Sequence, residues 1–116
     1  MARILVVDDE PIIAMTMAEW LADLGHVVVG PASDLNEAMT LCEAALDAAL
    51  LDVSLGAHTA EAVAARLAER SVPFAVVSGH DSASTPPAFA RGLSLPKPFG
   101  FEAFRQLVER LLNLRA

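Results

Sequence analysis

Apolar positions along this chain fall into two rhythms. Unbroken runs occur at Ile4-Leu5-Val6-Val7, Ala48-Ala49-Leu50-Leu51 and Phe74-Ala75-Val76-Val77. Continuous rather than alternating runs of this length suit central parallel strands covered on both faces. They predict strands over residues 3–7, 48–51 and 73–77, with two shorter ones over 26–29, stopped by Gly30-Pro31, and 93–95. Between them the spacing turns helical. Ile13, Met17, Trp20, Leu21 and Leu24 share one face of a helix that Pro11 can open and Gly25 can close. Asp34, with Glu37 three residues on, resembles a capping box for a helix running through Ala38, Leu41 and Cys42 toward Leu46. Residues 59–70 are Ala-rich, with Val63 and Leu67 on one side. Phe101, Phe104, Leu107, Val108 and Leu111 mark a last amphipathic helix that reaches the C-terminus. Residues 78–92 break the pattern with Gly79, Pro86, Pro87 and Gly92, leaving room for at most a short helix over 88–91.

The order is strand-helix repeated five times with one weak helix. It predicts an α/β domain over residues 1–116, a doubly wound parallel sheet with right-handed crossovers and helices on both faces. In such sheets ligands bind beyond the carboxyl ends of the strands. Polar residues stand at those ends: Asp8-Asp9 after the first strand, Asp52 after the third, Ser78 after the fourth and Lys97 after the fifth.

Composition narrows the reading. At 54% hydrophobic and 20% charged residues, disorder is excluded. A net charge of −7, with eight scattered Lys and Arg, argues against a nucleic-acid partner. Cys42 is the single cysteine, so neither an internal disulfide nor a thiolate zinc cluster can form, and it reads as a small core residue. Asp8-Asp9-Glu10 interrupts the first apolar run too early for a signal peptide. No run approaches the roughly 20 residues that span a bilayer. The expectation is a soluble, cytoplasmic protein with no membrane partner.

Asp8, Asp9 and Asp52 gathered at one sheet edge would repel one another unless a cation neutralised them or protons were taken up. Mg2+ suits such a set, because it prefers oxygen ligands and leaves room for a phosphate oxygen. Taken alone, Asp8-Asp9 reads equally as a turn former and a solvated helix start. With Asp52 and Lys97 at matching ends, a site is the stronger reading. Asp52 is the candidate nucleophile for a phosphoryl group. Lys97 supplies a cation to pair with Asp52 at rest and with a phosphoryl oxygen afterwards, and Ser78 offers a hydroxyl to another oxygen.

These residues resemble the receiver domain of two-component response regulators over essentially the whole chain. That family carries an acidic pair after the first strand, a phosphoacceptor Asp after the third, Ser or Thr after the fourth and Lys-Pro after the fifth. Here these fall on Asp8 and Asp9, Asp52, Ser78 and Lys97-Pro98. The resemblance implies a CheY-like (flavodoxin-like) sheet of order 2-1-3-4-5 and a cis bond before Pro98. It implies a histidine kinase as donor, Mg2+ bound by Asp9, Asp52 and the backbone carbonyl of Ser54, and Asp8 acting through water. The chain would then be a phosphorylation-dependent binding switch rather than an enzyme, with output through another protein that the sequence does not name. Two features depart from the common pattern: Ser94 stands where most receivers carry Tyr or Phe, and the segment after Gly79 is Pro-rich. Both resemble the FATGUY subgroup of single-domain regulators, as does the run from Pro73 to His80, with Ser78 in place of Thr and His80 in place of Tyr.

Other readings compete. A phosphate sink, or a shuttle in a phosphorelay, uses the same residues without a switched partner. A Mg2+-dependent phosphohydrolase would need a second carboxylate two residues beyond Asp52, where Ser54 stands. A nucleotide-binding fold would need a glycine-rich loop after the first strand, where Asp8-Asp9-Glu10 would repel phosphate.

Overall fold

The computed structural model describes residues 1–55, 58–78 and 92–114. Ile4 to Val7 are wholly buried, as an unbroken apolar run requires, and form β1 (Arg3–Val7). Helix α1 (Pro11–Asp23) opens with Pro11 in its first turn, where the missing N–H has no helical partner to lose. It closes at Gly25, whose φ of 88° suits a residue without Cβ. His26 N–H donates to the Leu21 carbonyl and Gly25 N–H to that of Ala22, the paired bonds of a Schellman cap.

Strand β2 (Val27–Ala32) runs through Gly30-Pro31 rather than stopping there. The Gly30-Pro31 bond is cis, and the register against β1 slips between Leu5 and Val7. Only glycine fits at position 30: φ is 100°, and a Cβ would lie 2.8 Å from Ala32 N and 3.0 Å from Val6 O. Prolonging β2 has a use, because the Ala32 carbonyl accepts from Asp8 N–H at 3.0 Å and so fixes the start of the acidic pair.

Helix α2 (Leu35–Leu41) begins as expected, with Asp34 Oδ1 accepting from Glu37 N–H at 2.8 Å. It ends well before Leu46. The Arg70 guanidinium donates to the carbonyls of Cys42 and Ala44, satisfying the chain end that a longer helix would have used. Cys42 is buried, as expected of a core residue. Strand β3 (Ala48–Asp52) follows, buried throughout. A small hairpin of β4 (Ser54–Leu55) and β5 (His58–Thr59) then precedes α3 (Glu61–Glu69), which starts two residues later than the Ala-rich pattern suggests. Strands β6 (Phe74–Ser78) and β7 (Leu93–Pro96) and helix α4 (Phe101–Leu114) complete the order. Gly79, His80 and the expected helix over 88–91 lie outside the described residues.

The main sheet is parallel, in the order β2-β1-β3-β6-β7, which is the 2-1-3-4-5 arrangement. Strand alternation divides the core. Leu5, Val7, Leu51 and Val76 face α2 and α3, meeting Ala38, Val63 and Leu67. Ile4, Val6, Leu50 and Val77 face α1 and α4, meeting Met17, Leu21, Phe104 and Leu111. Each large buried side chain contributes about 1.5–3 kcal/mol of transfer free energy, enough to hold the β1–β3–β6 centre rigid beneath their carboxyl ends. Among the described residues, no helix is long and apolar enough to cross a membrane.

Candidate functional site

The strand ends meet as expected. Asp8 follows β1 and is 1% exposed, and Asp52 ends β3 at 5%. Asp52 pairs in register with Val77, and Ser78 with Pro96, so Ser78 ends β6 between the strands that carry Asp52 and Lys97. Lys97 follows β7 directly, and the Lys97-Pro98 bond is cis, as the resemblance implied.

Local backbone bonds aim the carboxylates. Asp8 Oδ1 accepts from Glu10 N–H at 2.9 Å, folding the turn after β1 around the acid. Asp52 Oδ1 accepts from Ser54 N–H at 3.4 Å, and the Val53 carbonyl accepts from Ala60 N–H at 2.9 Å, which ties down the loop after β3. Ser54 is half-buried beside that turn.

Lys97 Nζ lies 3.5 Å from Asp52 Oδ2 and 3.4 Å from Asp8 Oδ2. Its tightest contact is elsewhere: 2.6 Å to Glu10 Oε1. The sequence leads one to expect a resting pair between Lys97 and Asp52; in the structure Glu10 holds Lys97 more closely. Burial works against the ammonium, but the hydrogen bond to Glu10 and the charges of Asp52, Asp8 and Glu10 outweigh it, so its pKa rises.

Asp52 is buried beside a like charge. Burial first, then the adjacent Asp8 charge, push its pKa up to about 7, against the pull of Lys97. Asp8 Oδ2 is buried and has no hydrogen-bond partner among the described residues, since Lys97 approaches it only as an ion pair. Asp8, Asp9, Glu10 and Asp52 each offer a carboxylate oxygen, all within 4.8 Å of one another. An orphaned buried oxygen in an all-oxygen set with surplus negative charge fits a hard divalent cation, and these residues could hold one.

A parallel sheet of this order, with acids, a hydroxyl residue and a lysine on successive strand ends, defines a class of signalling module. Residues 4–112 match the family model of the response regulator receiver domain, and the chain belongs to that family. It is the receiver domain of a two-component response regulator. Over 84 residues it is 40% identical to the positive alginate biosynthesis regulatory protein of Pseudomonas aeruginosa, covering 68% of this chain and 34% of that protein. It thus spans about a third of that regulator's length. The receiver domain of NtrX from Brucella abortus superposes with a TM-score of 0.81 at 30% identity, covering 95% of this chain and 98% of that one. The response regulator TrrA from Thermotoga maritima, solved in complex with Mg2+–BeF, gives a TM-score of 0.84 at 24% identity, covering 97% and 100%.

Two parts of the site escape sequence reasoning. Glu10 is 87 residues from Lys97 and looks like one more charge in an acidic turn. The β4–β5 hairpin has strands of two residues each, too short for any periodic signal.

Proposed function

We propose that this chain is a phosphoacceptor receiver in which Asp52 takes a phosphoryl group from a histidine kinase, with residues 1–116 forming one such domain in the cytoplasm. The observation that carries the reading is the buried Asp52 carboxyl at the carboxyl end of β3, with Asp8 beside it and Lys97 Nζ at 3.5 Å. An Asp52 oxygen attacks phosphorus as the P–N bond of a phosphohistidine breaks, and the electron pair of that bond stays on the imidazole nitrogen. The product is an aspartyl phosphate.

Asp9, Asp52 and the Ser54 carbonyl would hold Mg2+, with Asp8 acting through water and so satisfying its orphaned oxygen. Bound there, the ion supplies positive charge beside the phosphoryl oxygens. Asp52 must be ionised to attack, and a pKa near 7 keeps a fraction of it ready even before a cation arrives. Lys97 offsets the charge of the product and Ser78 donates to one of its oxygens. The Mg2+–BeF complex of TrrA agrees in kind with this reading. Output passes to another protein, whose affinity changes with phosphorylation, and the chain's sequence traits, Ser94 and the run from Pro73 to His80, support a resemblance to the FATGUY regulators.

The test is phosphotransfer from labelled histidine kinases in Mg2+. Label should move to the wild type and not to Asp52→Asn. Transfer that persists in Asp52→Asn would move the acceptor elsewhere, and no transfer from any kinase active on related receivers would contradict the reading.

A further inference from the structure

Among the described residues, Lys97 has three carboxylates around it and closes on the one that the phosphoryl chemistry leaves unused. Nζ is 2.6 Å from Glu10 Oε1 but 3.4 and 3.5 Å from Asp8 and Asp52. Glu10 occupies the N-cap position of α1 without capping it through its side chain. Its N–H is committed to Asp8, so its main chain is pinned at the acidic pair while its side chain, 57% exposed, spans the mouth of the site to Lys97.

A phosphoryl group on Asp52 brings oxygens that compete for the same ammonium. A charge-assisted bond of this length orients its donor, and Lys97 sits nearer to Glu10 than to Asp52, although it is in reach of both. We propose that Glu10 is a positioning residue that rivals the phosphoryl group for Lys97. Phosphorylation then draws Lys97 off Glu10 and releases that carboxylate at the start of α1. The inference rests on Asp52 being the acceptor. Because Glu10 is largely solvated, its hold is modest, and the brake on phosphorylation is a matter of a few-fold.

The experiment follows phosphorylation by acetyl phosphate at saturating Mg2+, by intact mass over time, for wild type, Glu10→Gln and Glu10→Asp. Calorimetric Mg2+ titrations of all three accompany it. Glu10→Gln removes the charge; Glu10→Asp keeps it but withdraws it by about 1.5 Å, one C–C bond. Both variants should be phosphorylated about two- to fivefold faster than wild type. Glu10→Asp should keep its Mg2+ affinity within about threefold. Glu10→Asp at the wild-type rate would show that Glu10 acts by charge alone and would overturn the proposal, as would slowing in either variant. A loss of Mg2+ affinity of about tenfold or more in Glu10→Asp would make Glu10 a metal ligand and overturn it too. A wild type that gains no phosphoryl group from acetyl phosphate or, with the comparison repeated, from a phosphorylated histidine kinase would overturn the acceptor reading and this inference together. A normal wild-type adduct with unchanged variants would overturn this inference alone.

Discussion

Two groups of charges on this molecule contrast in how their signs balance. On α3, Arg66 meets Glu43 through two bonds, at 2.6 and 2.8 Å, and lies 3.7 Å from Glu69. On α4, Arg105 bridges Glu102 and Glu109. These pairs are solvated, and the hydrogen bond from Arg66 lowers the Glu43 pKa. At the carboxyl edge of the sheet, three carboxylates, those of Asp8, Glu10 and Asp52, crowd one ammonium among the described residues, and two of the three are buried. There the pKa of Asp52 moves up, not down. The solvated pairs are ordinary surface contacts. The buried cluster costs stability as it stands, so packing does not explain it and chemistry does.

The contrast is sharpest in metal-free protein, where pH exposes the cost. The Asp52 pKa is raised from 3.8 to about 7, so the folded chain binds more protons than the unfolded chain between those values. Stability should therefore fall as pH rises through that window. Asp52→Asn removes the penalty. It should be about 1–3 kcal/mol more stable than wild type at pH 8 in chelator, after discounting for the solvent that reaches the cleft, and no more stable near pH 4. Urea denaturation at both pH values checks this, and a variant destabilised at pH 8 would break the contrast.

Mg2+ should act next. At about ten times its Kd it should stabilise the wild type by about 1.4 kcal/mol, raising Tm by about 4–6 °C. Asp9→Asn should lose most of that gain in thermal melts, and an undiminished gain would remove Asp9 from the ligand set. The smallest effect belongs to the surface. Arg66→Ala should barely move the urea midpoint, and the shift should vanish in high salt. A large, salt-independent loss would mean that the surface pairs carry weight here denied to them.

Legibility followed the same division. The strands β1, β3 and β6 were readable because each is an unbroken apolar run, and Asp8, Asp52, Ser78 and Lys97 were readable because each ends a strand. Parallel pairing then brings Asp8, Asp52 and Lys97 together without further information. Gly30-Pro31 misled, since two residues that usually stop a strand lie here inside β2, whose register against β1 shifts. The early end of α2 was hidden because the carbonyls just beyond it, of Cys42 and Ala44, are met by Arg70, on another helix's end. Glu10 was hidden for a similar reason: nothing near it in sequence announces Lys97. Trp20 read as a helix-face residue, yet it also gathers Phe99, Phe101 and Phe104 at ring distances of 5.4–6.0 Å, a cluster that only the meeting of α1 and α4 creates.

The most direct measurement is the intact mass of wild type and Asp52→Asn after incubation with acetyl phosphate, with and without Mg2+. The expected result is one added phosphoryl group on the wild type in Mg2+, absent in chelator and absent in the variant. An adduct of equal yield on Asp52→Asn, or none on the wild type with either acetyl phosphate or a phosphorylated kinase, would contradict the assignment of the strand-end cluster to phosphoryl chemistry.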